Sequence, residues 1–145
     1  VSGAGRVLGL DLGSRRIGVA ISDPTGTVAT PFTVIERAGD RQADYRRIAD
    51  LVAEENATVV VVGLPVSLSG ALGPAARTAL VEIEALSATL AVPVETHDER
   101  LTTVSAQRAL DAGGLPRRRQ RRVVDKVAAA VMLQSWLECK ASTGP

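Results

Sequence analysis

The sequence predicts an α/β protein: a mixed β-sheet with helices on both faces. Three observations carry that expectation. Two apolar runs, residues 6–12 and 16–22, are separated only by "GSR", which is hairpin length. After residue 40 the apolar spacing changes from strand-like to the 3.6-residue period of a helix. The continuously apolar "ATVVVVGLP", 57–65, then falls between two helical patterns, as a strand buried on both faces does.

Each element follows in turn. Residues 6–12, "RVLGLDL", read as a central strand. "RIGVAIS", 16–22, reads as its antiparallel partner. "DPTG", 23–26, is a turn with Pro second and Gly fourth. Residues 27–36 give a third antiparallel strand, and Pro31 inside it marks an edge. Residues 41–55 set Tyr45, Ile48, Ala49 and Val52 on one helical face. A helix over 74–91 opens on Pro74 and aligns Ala76, Leu80, Ile83 and Leu90. Residues 92–96 form the fifth strand. A helix is expected over about 99–112, stopping at Gly113-Gly114, followed by "LPRRRQ" as a loop or helix start. The last helix is expected over about 118–139.

With 145 residues, 46% of them hydrophobic, the chain is sized for one domain with a core of its own. Aromatics are only 2%, so Val, Leu, Ile and Ala must build that core. No apolar run approaches the roughly 20 residues that span a bilayer. The opening "VSGAGR" lacks the charged and apolar regions of a signal peptide and lacks an initiator Met, so a few residues are expected upstream. Cys139 is the single cysteine, which excludes an internal disulfide and a cysteine-based zinc site. A soluble, cytoplasmic protein with no membrane partner is expected.

Net charge is +1, but five of the 17 basic residues are Arg117, Arg118, Arg119, Arg121 and Arg122. A local basic patch on an otherwise acidic chain suggests contact with a polyanion at one place. A solvated helix face is the plainer alternative.

Acids stand where ligands of open α/β sheets gather, beyond the C-terminal ends of strands. Asp11 ends the first apolar run. Asp98 and Glu99, in "ETHDER", lie just past the fifth strand. Asp125 opens "DKVAAAVMLQ", where Ala128, Ala129 and Ala130 let a helix approach the sheet closely. Carboxylates brought together repel unless cations neutralise them. Hard cations with oxygen ligands do so, and two such ions clamp the attacking and leaving oxygens of a phosphodiester. Asp11 would then bridge the ions, with the other acids completing one shell each, and no Ser or Cys nucleophile is needed. Each acid also has a plainer reading. Asp11 can cap the turn after it. Asp98 can cap the helix that follows, with Glu99 at its positive end. Asp125 can pair with Arg121 or Arg122 one turn back.

Other candidates are secondary. Arg15, Arg16 and Arg100 are placed to neutralise the acids or reach a phosphate. His97, the only histidine, is either a general base or a structural neighbour of the acids. Trp136 reads as packing rather than a base-stacking surface, and Cys139 as a free thiol rather than a link between subunits. Gly13 and Gly63 suit tight turns and close backbone approach.

"LGLDLGSRRIGVAISD", "VVGLPVSLSG", "DERLTT" and "DKVAAAVMLQSWLE", in this order and spacing, resemble the YqgF/RuvX family over roughly residues 6–139. That family is assigned to Holliday junction resolution and to maturation of the 5′ end of pre-16S rRNA in bacteria. The resemblance implies a single ribonuclease-H-like domain over 1–145, with sheet order 3-2-1-4-5 and strand two antiparallel to the rest. It also implies a divalent-metal nuclease using Mg²⁺ or Mn²⁺. By motif match Asp11 takes the first-strand aspartate's place, Asp98 and Glu99 the acidic pair, and Asp125 the last-helix aspartate. The metal ligands are then Asp11, Glu99 and Asp125, with Glu99 favoured over Asp98. One departure stands out: Ser67 and Ser69 replace the Asn and Asp or Asn that usually follow "GLP".

Three functions are therefore open. The first is a metal-dependent nuclease on four-way junction DNA or precursor rRNA; junction resolution would call for a homodimer, because a junction takes two symmetric cuts. The second is a catalytically silent nucleic-acid adaptor. The third is an actin- or sugar-kinase-like nucleotide-binding domain, suggested by "DLGS" but short of the second domain such proteins use.

Overall fold

The computed structural model describes residues 5–66, 69–101 and 117–143. Its sheet has five strands: β1 (Arg6–Leu12), β2 (Arg16–Ser22), β3 (Ala29–Glu36), β4 (Ala57–Leu64) and β5 (Val94–Asp98). Their spatial order is β3-β2-β1-β4-β5. β2 runs antiparallel to both β1 and β3, while β4 and β5 run parallel to β1. The helices are α1 (Arg41–Glu54), α2 (Pro74–Thr89) and, after the 3₁₀ turn Glu99–Leu101, α3 (Arg117–Thr143).

Strand alternation sorts the core into two layers. Leu8, Leu10, Ile17, Val19, Val60 and Val62 face α1 and α2, against Tyr45, Ile48, Leu51, Ile83 and Leu86. Val7, Ala20 and Val61 face α3, against Ala129, Met132, Leu133 and Leu137. Central strands buried on both faces need apolar residues at every position, which is why β1, β2 and β4 read as continuous apolar runs.

Local signals place the ends of these elements. Gly13 N–H donates to the Arg16 carbonyl at 2.9 Å and closes the β1–β2 hairpin. Gly26, at φ 71°, completes the 23–26 turn with a 3.0 Å bond to the Asp23 carbonyl. Pro31 sits in the edge strand beside an irregularity in the β2–β3 register. The Asp40 side chain caps α1 by accepting from the Gln42 N–H at 3.0 Å; such caps contribute about 1 kcal/mol.

Several expectations move. The fifth strand lies at 94–98 rather than 92–96, so Asp98 ends the strand instead of following it. Pro93 accounts for the later start, because it contributes only its carbonyl, which accepts from Val60 N–H. β3 starts at Ala29 rather than 27, since Thr27 and Val28 donate their N–H groups to the Asp23 carboxylate. α2 ends at Thr89, and Leu80 is exposed, because the buried stripe runs through Ala76, Ala79, Glu82, Ile83 and Leu86. Residues 99–101 form a 3₁₀ turn. The expected helix beyond it and its Gly113-Gly114 stop lie outside the described residues, as does Ser67.

Candidate active site

β1, β4 and β5 end side by side, and the C-terminal end of β1 carries the acid. Asp11 lies opposite Gly18 of β2. It shares the α3 face of the sheet with Val7 and Gly9. A Cβ on Gly18 would stand 2.0 Å from the Asp125 carbonyl oxygen, and one on Gly9 would stand 2.9 Å from Leu133 Cβ. These two glycines let α3 lie directly on the sheet and bring Asp125 beside Asp11. Alanines at 128–130 were the expected cause; the sheet's own missing side chains supply the other half of the room.

Glu99 arrives from the far side. It follows the last residue of β5 and reaches back over β4, where Gly63 has no side chain to block it. A Cβ on Gly63 would stand 2.5 Å from Glu99 Oε1. The Asp11 and Glu99 carboxyls are hydrogen-bonded to each other. Burial, then the charge of Asp11 and this hydrogen bond, push Glu99 up to about 8. Burial raises Asp11 as well, with the Asp125 charge adding to it. The two carboxyls titrate as a pair, and burial with their mutual repulsion favours keeping a proton between them.

The remaining candidates fall around this pair. The Asp11 carboxyl takes up Glu99 rather than capping the hairpin, whose Gly13 N–H goes to main-chain carbonyls. Asp98 faces Arg100, accepting from its backbone N–H at 2.9 Å and its Nε at 2.8 Å. That is the turn-capping alternative, and Arg100 holds the Asp98 carboxyl below its ordinary pKa. Asp125 accepts from Arg16 Nε at 2.8 Å, a pairing across the fold; the side chains of Arg121 and Arg122 lie outside the described residues. Arg15 is exposed in the hairpin. Arg117, Arg118, Arg119, Arg121 and Arg122 lie on the first turns of α3, and only their backbone is described. His97 Nε2 meets Ser135 Oγ at 2.9 Å, tying β5 to α3, and burial lowers its pKa. Trp136 packs against the α3-side core with Lys140 Nζ 5.3 Å from its ring centre. Cys139 is exposed and in no disulfide among the described residues. Ser69 lies in a turn, its Oγ accepting from Ala71 N–H.

A second polar cluster, on the α1 and α2 face, was not anticipated. The Arg37 guanidinium donates to both Glu82 carboxylate oxygens, at 2.9 and 2.8 Å, and its Nε to the Gly13 carbonyl at 2.8 Å. Tyr45 OH donates to Glu82 at 2.8 Å, and Asp44 stands 3.5 Å from Arg37. A cleft of about 470 Å³ opens beside it, against Gly13, Ser14, Arg41 and Thr78. The legible signal was Glu82 itself, a charge at helical spacing between Ala79 and Leu86 on an apolar face.

Comparison with known proteins places the chain and its fold. The family model RuvX, described as Holliday junction resolvase, matches residues 5–139. The chain belongs to the RuvX family. A relative from Mycobacterium sp. (strain KMS), named "Putative pre-16S rRNA nuclease", is 50% identical over 137 residues, covering 94% of this RuvX chain and 81% of its own. One of the same name from Mycobacterium leprae (strain TN) is 51% identical over 142 residues, covering 96% and 76%. Among solved structures, T. thermophilus RuvC in complex with a Holliday junction substrate aligns with a TM-score of 0.60 at 15% identity, over 97% of this chain and 98% of that one. A second Thermus thermophilus RuvC structure gives 0.54 at 14% identity, over 95% and 97%. The RuvX sheet, with its order and its one reversed strand, is thus the ribonuclease-H-like fold of RuvC.

Proposed function

We propose that this RuvX chain is a divalent-metal-dependent nuclease acting on structured nucleic acid, either four-way junction DNA or the 5′ leader of precursor 16S rRNA. The observation that carries the reading is the Asp11–Glu99 pair. Two carboxyls from the ends of different strands are hydrogen-bonded to each other, and burial raises both pKa values. Building such a pair costs free energy in the apo protein. A shared proton lowers that cost, and a hard divalent cation lowers it further.

The donor set fits such a cation. Asp11 and Glu99 would hold it, Mg²⁺ or Mn²⁺, and Asp125 would join them in a two-metal site. The bound ions supply Lewis-acid activation of water and of the scissile phosphate. The chain does the rest. Gly63 keeps open the space that Glu99 needs. Gly18 fixes the start of the buried part of α3. Asp98, held by Arg100, orients the turn that carries Glu99 and is assigned there rather than to the metal. Arg15, Arg16, Arg100 and the arginines of 117–122 are the candidate phosphate contacts, each a charge-assisted donor. Among the described residues no helix is long and apolar enough to cross a membrane. The proposed substrates, junction DNA and precursor rRNA, would place the enzyme in the cytoplasm, as one ribonuclease-H-like domain.

The test is a side-by-side cleavage assay on a four-way junction and a precursor-rRNA leader, with and without Mn²⁺, alongside sedimentation. Metal-dependent cutting of either substrate supports the reading. Paired symmetric cuts by a dimer select the junction; leader trimming selects rRNA. Tight binding of both without cleavage would instead make the chain an adaptor.

A further inference from the structure

Arg16 begins β2 and lies on the same face as Gly18, two residues on, so its side chain rises beside Asp11 and Asp125. Its Nε donates to Asp125 Oδ2 at 2.8 Å, with side-chain exposures of 25% and 26%. The Asp125 main chain is seated closely against Gly18, which has no side chain to hold it off. Rotation of the Asp125 side chain moves its carboxylate, and the bond to Arg16 holds one orientation. The result is visible in the cluster. Asp125 is near enough for its charge to act on Asp11. Yet among the described residues no three acid, His or Cys side chains converge to hold a metal ion.

We infer that Arg16 is a built-in competitor for the divalent cation, holding Asp125 off the Asp11–Glu99 pair until a cation draws that carboxylate in and frees the guanidinium for a substrate phosphate. The inference rests on the metal-nuclease reading above. The energetics allow the exchange. A partly exposed pair with a single hydrogen bond contributes little, on the order of 0–1 kcal/mol, so it weakens cation binding without preventing it. The freed guanidinium is not stranded: Glu36 lies opposite it in the β2–β3 register. It is also a fork suited to a phosphate at the same strand end. Cation and nucleic acid then favour one another's binding, reciprocally, through one side chain.

The experiment is Mn²⁺ binding, read by the electron-paramagnetic signal of the free ion, with no nucleic acid and no cleavage. The proteins are wild type, Arg16→Gln, Asp125→Asn and the double variant, each first checked by thermal melting. Arg16→Gln is expected to bind Mn²⁺ about fivefold more tightly than wild type, the release expected from a pair of this kind. In the Asp125→Asn background the same substitution should change nothing. Arg16→Lys, which keeps the charge, should fall between, and it carries the test if Arg16→Gln is poorly folded. Equal or weaker binding by the Arg16 variants overturns the inference alone. So does a tightening that persists without Asp125, which would be a general charge effect. Folded wild-type and Arg16 variants that all fail to bind Mn²⁺ overturn the inference and the metal reading together.

Discussion

Glu82 and Asp44, between the sheet and α1 and α2, form a pair of buried acids; Asp11 and Glu99, on the α3 side, form a partly buried pair. Glu82 is 4% exposed and Asp44 2%. Burial alone would push Glu82 up, but the Arg37 fork and the Tyr45 hydroxyl outweigh it and hold Glu82 below its ordinary pKa. Glu99 is less enclosed, yet it is pushed up to about 8. The difference is the partner. Arg37 brings a full charge and a bidentate geometry to the first pair, whereas Arg16, on the α3 side, is bonded to Asp125. A compensated acid pair is a structural strut. An acid pair whose pKa values are raised, at the end of three strands, is a candidate functional site, and the metal reading proposed above would complete it with a cation.

The comparison predicts opposite responses to substitution. Asp11→Asn should abolish most cleavage, by at least about 100-fold, the upper end of what even an outer partner of a metal ligand is worth. Gel-shift affinity for the same substrate should survive. Arg37→Met should instead cost about 3–5 kcal/mol in urea unfolding, because it strands two buried carboxylates. An Arg37 variant of full stability would mean that the strut is not one.

Gly63 and Gly18 sharpen the contrast within the site. Alanine at Gly63 meets the end of the flexible Glu99 side chain, at 2.5 Å. It should therefore lower turnover, by up to about 100-fold if Glu99 is displaced by an ångström, with little change in Tm. Alanine at Gly18 meets the α3 backbone at 2.0 Å. It should destabilise by at least about 1–3 kcal/mol, because that helix cannot yield as a side chain does.

The pH dependence carries a definite sign. The folded pKa of Glu99, about 8, is above its ordinary 4.5. The folded state therefore keeps a proton that the unfolded chain has released, and this group's contribution is lost as pH rises through that window. In chelator, wild type should lose Tm relative to Glu99→Gln between about pH 5 and pH 8. The smallest effect is on binding: each arginine removed from 117–122 should lower the salt slope by about 1 if it contacts a phosphate. An unchanged slope would return that segment to a solvated face.

Much of this was legible in the sequence, for local reasons. The β1–β2 hairpin, the buried β4 and the edge position of β3 follow from loop length, apolar continuity and Pro31. Asp11 was legible because a charge at the end of a buried strand is anomalous. The choice of Glu99 over Asp98 as its partner depends on Arg100 turning back two residues to take Asp98. The Arg37–Glu82 strut joins residues 45 apart, and the Arg16–Asp125 pair residues 109 apart. No periodicity encodes either one. Leu80 shows the same limit from the other side: a helical stripe drawn through Leu80 and Ile83 missed that the buried face turns through Ala79 and Glu82.

The central claim is that a divalent cation takes the place of the proton between Asp11 and Glu99. It is tested most directly by following the Glu99 side-chain carboxyl by ¹³C NMR through a pH titration, in chelator and in excess Mg²⁺. The account predicts a midpoint near 8 in chelator, and one displaced to below the ordinary carboxylate value when Mg²⁺ is present. A midpoint at the ordinary 4.5 in chelator, or one that Mg²⁺ does not move, would contradict it.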